Sequence, residues 1–107
     1  MAYECGENDW TIVKINGEAD VYAVPQIRGH AVGRIREGRR RFIIDLRGAS
    51  FMDSTGLGVL VGIRKRLHTR VGELRLVIAN PNIRRIFTVT GPHVIFPIYD
   101  SLVAHGA

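Results

Sequence analysis

A chain of 107 residues with 46% hydrophobic and 23% charged side chains has room for one hydrophobic core but not two, and its balance excludes global disorder. Its apolar stretches are broken by Arg, Asp or Gly well short of the roughly 20 residues that cross a bilayer, and the opening MAYECGENDW lacks the basic start and apolar centre of a secretory signal, so no membrane and a cytoplasmic location are expected. The net charge of +5 favours acidic partners, but neither Arg39, Arg40 and Arg41 nor Arg64, Lys65, Arg66 and Arg70 are interleaved with aromatics, so a solvated basic surface is expected and direct nucleic-acid binding is not.

Residues 1–9 offer either an edge strand or a frayed end. Cys5, the only cysteine, excludes an internal disulfide and leaves any cysteine-based zinc site short of ligands. Trp10 to Gly17, WTIVKING, reads as a strand closed by a turn, and Gly17-Glu18-Ala19-Asp20 as an acidic turn with Asp20 capping the next helix. Val24, Ile27, Ala31, Val32 and Ile35 recur at helical spacing, with Pro25 tolerated in the first turn and Gly38 as the stop. RFIIDL, from Arg41 to Leu46, is a short run rich in β-branched residues that suits a buried strand.

The loop GASFMD then leads into a helix from Ser54 to Thr69, with Leu57, Leu60, Val61, Ile63 and Leu67 facing the core and the basic residues facing water. Glu73 to Ala79 is a further strand. Asn80 and Pro81 form a cap and first-turn pair for a helix carrying Ile83, Ile86, Phe87 and Thr90, ended by Gly91 and Pro92. A short strand near Val94 to Pro97 and a weak helix from Ser101 close the chain. Strands alternating with helices predict a small α/β fold: a mixed sheet of four to five strands with about four helices and right-handed crossovers. In such a fold the turn at 17–20 and the loop before Ser54 can share the end of the sheet where ligands bind.

The segment Asp53-Ser54-Thr55-Gly56-Leu57-Gly58 sits where a helix begins, and a helix N-terminus offers unpaired N–H groups and partial positive charge to a phosphate. Either Asp53 or Ser54 is the cap. Gly56, Gly58 and Gly62 each cost about 1 kcal/mol relative to alanine in a helix; they either open the Ser54 hydroxyl to a large visitor or let the helix pack closely on the sheet. Phe51 and Met52 either staple the helix entry or stand exposed as partner contacts. His30, His68, His93 and His105 lack metal-ligand spacing, Ser54 lacks a Gly-x-Ser-x-Gly elbow, and no second carboxylate loop accompanies Asp53, so no catalytic, metal or cofactor site is expected.

GEADVYAVPQIR, FIIDLRGASFMDSTGLGVLVGIRKRL and LRLVIANPNIRRIFTVTG together resemble the STAS family, specifically the bacterial anti-anti-sigma factors, or anti-sigma factor antagonists. The resemblance runs from about Trp10 to the end and implies that residues 1–107 form one STAS domain without enzymatic activity. It implies a partner switch in which Ser54 is phosphorylated by an anti-sigma factor that is itself a serine/threonine kinase. The unphosphorylated form captures that kinase and frees a sigma factor; a PP2C-type phosphatase resets the phosphorylated form. By the same resemblance Asp20 supports phosphorylation and partner contact, Asp53 shapes the loop, and Thr55 is the neighbouring hydroxyl that is not the acceptor. The contact surface then runs over Asp20, Phe51, Met52, Gly56 and Gly58. Ala19 and Gly91-Pro92-His93 depart from the commonest pattern, which bears on partner choice and not on class. Two other roles share the resemblance: a docking subunit of a transport or lipid-trafficking complex, and a stressosome-type scaffold, which usually carries a further N-terminal domain. The intact acceptor motif argues against the docking role. The sigma factor and the oligomeric state are not legible.

Overall fold

The computed structural model of the protein describes residues 2–7, 9–89 and 96–100. In chain order its elements are β1 (Ala2–Glu7), β2 (Trp10–Ile15), β3 (Gly17–Ala19), α1 (Val24–Arg36), β4 (Arg41–Asp45), β5 (Ala49–Met52), α2 (Ser54–His68), β6 (Glu73–Val77), α3 (Pro81–Val89) and β7 (Ile98–Tyr99). Five strands form one sheet in the order β1-β2-β4-β6-β7, with β1 antiparallel to β2 and the remaining pairs parallel. β3 and β5 pair separately as a small parallel sheet.

The mixed α/β architecture matches the expectation from sequence. β1 takes the edge-strand alternative for residues 2–7. A strand is present at Ile98–Tyr99; of the strand expected near Val94 to Pro97, residues 94–95 fall outside the described residues, and Pro97 contributes its carbonyl to the N–H of Leu76. The predicted end of α3 at 90–92 and the helix from Ser101 fall outside the described residues.

Alternation along the central strands divides their side chains between two faces. Val13, Ile15, Phe42, Ile44, Leu46, Leu74 and Leu76 join the main core with Ile27, Ala31 and Ile35 of α1, Leu60, Ile63 and Leu67 of α2, and Ile83 and Phe87 of α3. Trp10, Ile12, Ile43 and Val77 form a second cluster. Burial on both faces is why the FII run is continuously apolar. In α2 the buried stripe includes Val59, which the helical spacing did not single out, whereas Val61 is only partly buried.

The second cluster is closed by charge rather than by a helix. The guanidinium groups of Arg41 and Arg75 lie 4.3 and 4.6 Å from the Trp10 ring centroid, and Glu73 bonds both of them at 3.3 Å. Two cations on one indole share its face attraction, and the carboxylate offsets their mutual repulsion. The Arg39-Arg40-Arg41 run is therefore partly structural: Arg39 Nε donates to Thr11 Oγ1 at 2.9 Å, and Arg40 to the carbonyls of Ile35 and Arg39.

Helix ends follow the local chemistry. Pro25 sits in the first turn of α1, and Gly38, at φ +98°, carries the chain out of it with its N–H on the Ile35 carbonyl. Asn80 accepts from the N–H of Asn82 at 2.9 Å, the side-chain turn expected before Pro81.

Candidate functional site

The segments that read as an acidic turn and a loop are strands. β3 and β5 run parallel with Glu18 opposite Phe51 and Ala19 opposite Met52. Ala19 and Met52 are buried while Glu18 and Phe51 are exposed, and a register shift between Gly17 and Glu18 leaves Ser50 of β5 without an opposite residue, so Ala49 and Met52 are both buried around two exposed residues. Asp20 and Asp53, the next residue on each strand, leave the pair side by side, and the Asp53 N–H lies 3.5 Å from the Ala19 carbonyl. Three- and four-residue strands are too short to show periodicity in sequence. The pairing brings together two segments more than 30 residues apart in the chain.

Asp53 is the N-cap of α2. Its backbone is extended (φ −111°, ψ −175°), its Oδ1 accepts from the N–H groups of Thr55 and Gly56 at 3.0 Å each, and its carbonyl accepts from Leu57. Ser54 is therefore the first helical residue and not the cap. A carboxylate serves this position well because it supplies charge to the helix dipole as well as an acceptor. The consequence for Ser54 is an exposed side chain whose hydroxyl makes no hydrogen bond among the described residues. Thr55 is exposed beside it.

Asp20 caps a turn rather than the helix. Its Oδ1 accepts from the N–H groups of Tyr22 (3.0 Å) and Ala23 (3.3 Å), whereas α1 begins one step later with Ala23 as a cap that makes no side-chain bond. The expected helix cap is thus displaced by a turn, residues 20–23, inserted ahead of α1.

Gly56 and Gly58 separate into the two roles left open above. A Cβ on Gly56 would run into the Ala19 carbonyl oxygen and lie 3.2 Å from its carbon, so the first turn of α2 rests on the end of β3 only because Gly56 lacks one. A Cβ on Gly58 would meet nothing within 4 Å, and this residue is exposed. Phe51 and Met52 divide likewise: Met52 is 3% exposed and belongs to the core, while Phe51 is 48% exposed. Val21 and Tyr22, at 56% and 85%, add exposed apolar surface immediately after Asp20. Sequence reading missed this pair. Its signal was two large apolar residues placed between a capping aspartate and the start of a helix.

The two segments that frame Ser54 carry charge of one sign. Glu18, Asp20 and Asp53 stand on the framing segments, and residues 16–27 and 48–63 contain no Lys or Arg. A shallow cleft of about 310 Å³ borders Glu18, Asp20, Tyr22 and Gln26. Behind it, at the end of β4, Asp45 is 4% exposed and takes both Arg47 side-chain bonds, at 2.9 and 2.8 Å, and the Arg47 N–H at 3.1 Å. Burial pushes the Asp45 carboxyl up, but these hydrogen bonds and the charges of Arg47 and Lys14 outweigh it and hold it below its ordinary value of 3.8. Among the described residues no group of three His, Cys, Asp or Glu side chains is placed to hold a metal ion, and no helix is long and apolar enough to cross a membrane.

A mostly parallel sheet with an antiparallel edge strand, and a serine opening the helix that follows a small accessory pair, define the class. The model for the STAS domain matches residues 3–105, and the chain belongs to that family. It is similar to the anti-sigma-B factor antagonist of Staphylococcus aureus, 39% identical over 79 residues that cover 74% of this chain and 73% of that protein. Among solved structures it is similar to the anti-sigma factor antagonist SpoIIAA in its unphosphorylated form (26% identity, TM-score 0.78, 98% of this chain and 93% of that one). It is similar as well to the Bacillus cell fate determinant SpoIIAA in the phosphorylated form (25% identity, TM-score 0.77, 98% and 96%). Within the STAS family, these relatives mark the branch of the anti-sigma factor antagonists.

Proposed function

We propose that the protein is a phosphorylation-controlled partner switch. In its unphosphorylated form it binds an anti-sigma factor that is a serine/threonine kinase and so releases a sigma factor; phosphorylation of Ser54 ends that binding, and a PP2C-type phosphatase restores it. The chain is not itself an enzyme, needs no cofactor and acts in the cytoplasm. The observation that carries this reading is the division of labour at the start of α2: Asp53 holds the first-turn N–H groups, which leaves the Ser54 hydroxyl exposed and unbonded. A kinase can then modify Ser54 without undoing the cap.

Electrostatics supports the same reading. A phosphoserine carries roughly −1.5 to −2 charges at neutral pH. It would join Glu18, Asp20 and Asp53 on segments that contain no cation, so negative charge accumulates at the surface that a partner must desolvate. The similar TM-scores to SpoIIAA in both forms, 0.78 and 0.77, favour a switch that works through surface charge with the fold kept. In this reading Asp20 positions the turn against the kinase, Asp53 holds the loop, and Thr55 is not modified. Phe51, Val21 and Tyr22 supply apolar contact, Gly58 gives close access along α2, and Met52 and Gly56 support the surface from beneath.

The test is phosphorylation by the cognate kinase with ATP, mapped by mass spectrometry, together with binding of three variants. Ser54→Ala is expected to bind the kinase constitutively, while Ser54→Asp and Ser54→Glu bind at least about tenfold more weakly, a loss near 1.4 kcal/mol. Circular dichroism should be the same for all. Phosphate on another residue, or equal binding by the three, would overturn the switch.

A further inference from the structure

The helix layer carries a charge pattern that the Ser54 surface does not use. α1 holds Arg28, Arg34 and Arg36, α2 holds Arg64, Lys65 and Arg66, and neither helix contains an Asp or Glu. Arg34 is engaged by Glu37 at 2.8 Å. Arg28, Arg36 and Arg66 are exposed, and their guanidinium groups have no partner among the described residues. These three converge on one open cleft of about 500 Å³ between α1 and α2. The rest of its lining is Pro25, Gly29, Val32 and Gly33, without a charge.

Gly29 and Gly33 are not explained by packing within the chain. A Cβ on either would meet nothing within 4 Å, and glycine is unfavourable in a helix interior relative to alanine. Two glycines four residues apart, on a face open to solvent, permit the close approach of a partner's backbone, and the guanidinium groups fix the sign of its charge. We propose that this cleft is a docking groove for an acidic helical segment of a partner protein. Arg28 and Arg36 are eight residues apart, about 12 Å along the helix at 1.5 Å per residue, which suits carboxylates two turns apart on the incoming segment. An anionic membrane is disfavoured because the exposed large apolar residues, Val21, Tyr22, Phe51 and Val71, all lie off α1 and α2. Nucleic acid is disfavoured because the cleft is lined by no Phe, Tyr, Trp or His on which a base can stack, and its uncharged lining is Pro25, Gly29, Val32 and Gly33.

The probe is a fluorescein-labelled helical peptide of roughly 18 residues, alanine-rich with glutamates along one face, and its all-glutamine counterpart. Binding is followed by anisotropy and by amide chemical shifts of the full chain. The Glu peptide is expected to shift residues 25–36 and Arg66, and the triple variant Arg28→Gln, Arg36→Gln, Arg66→Gln to weaken it at least tenfold. Gly33→Ala should raise the melting temperature by about 4 °C while lowering peptide affinity, a combination that a purely structural glycine would not give. Ser54→Asp should leave peptide affinity unchanged, which separates this groove from the switch surface. The proposal is overturned if the Glu peptide shifts no residue of the cleft at roughly 1 mM or binds no better than the Gln peptide. It is equally overturned if short duplex DNA or phosphatidylglycerol vesicles displace the peptide and lose more affinity than it does in the triple variant.

Discussion

Asp45 shows how much a single buried carboxylate can bind to one connection. Its three bonds to Arg47 stop the chain turning freely between β4 and β5, and β5 in turn places Asp53. Because its folded-state pKa lies below the ordinary value, the stability it contributes is present in full above about pH 4 and is lost as pH falls toward the folded value. Asp45→Asn is expected to cost about 1 kcal/mol at neutral pH, held to the low side because Arg47 is 40% exposed. Urea unfolding at a series of pH values should show the wild-type advantage shrinking on the acid side; an advantage independent of pH would refute the assignment. In sequence Asp45 was legible as part of a buried strand, but its partner two residues on was not. The same is true at the cap. The composition of Asp53-Ser54 announces a helix start, yet choosing between two competent capping residues requires the backbone angle at Asp53.

At the level of elements, α1, α2 and the three central strands were legible because each repeats its pattern over several turns or alternations. β3 and β5 were not, since neither is long enough to repeat one. The end of α2 is a different kind of omission. The N–H of Val71 bonds the His68 carbonyl at 3.3 Å and that of Gly72 the Leu67 carbonyl at 2.7 Å, the paired bonds of a Schellman ending with Val71 in the left-handed position at φ +57°. A β-branched residue is strained there, and glycine is the usual occupant. The available glycine stands one place later because a Cβ on Gly72 would come within 2.6 Å of the Arg40 carbonyl oxygen. Val71 is 96% exposed, so its side chain supports nothing that offsets the strain. Val71→Gly is therefore expected to stabilise the protein by about 1 kcal/mol, seen as a higher melting temperature. A lower one would mean that the strain is relieved elsewhere.

For the whole molecule, the sequence reported a net charge of +5 but not its segregation. The three helices among the described residues lack acidic residues, while Glu18, Asp20 and Asp53 lie on or next to the strands of the small sheet. Composition could not reveal this, because the division follows the fold: the acidic residues of the described segments lie on strands, turns and loops, whereas eight of the fifteen Lys and Arg residues lie on the helices. The same scale explains why an apparently generic basic surface has two parts. Arg39, Arg40 and Arg41 are consumed by contacts within the chain, whereas the cleft between α1 and α2 retains unpaired guanidinium groups.

Trp10, the single tryptophan, gives this molecule a built-in optical reporter. Its ring is 3% exposed and clamped at the start of β2, while Ser54 lies beyond the other end of the strands. Its emission should therefore stay fixed when the full-length protein is phosphorylated and move to longer wavelength only when the sheet opens in denaturant. A change on phosphorylation alone would show that the modification is felt across the sheet. If the emission holds still, one spectrum measures how much protein is folded, independently of which signalling state it occupies.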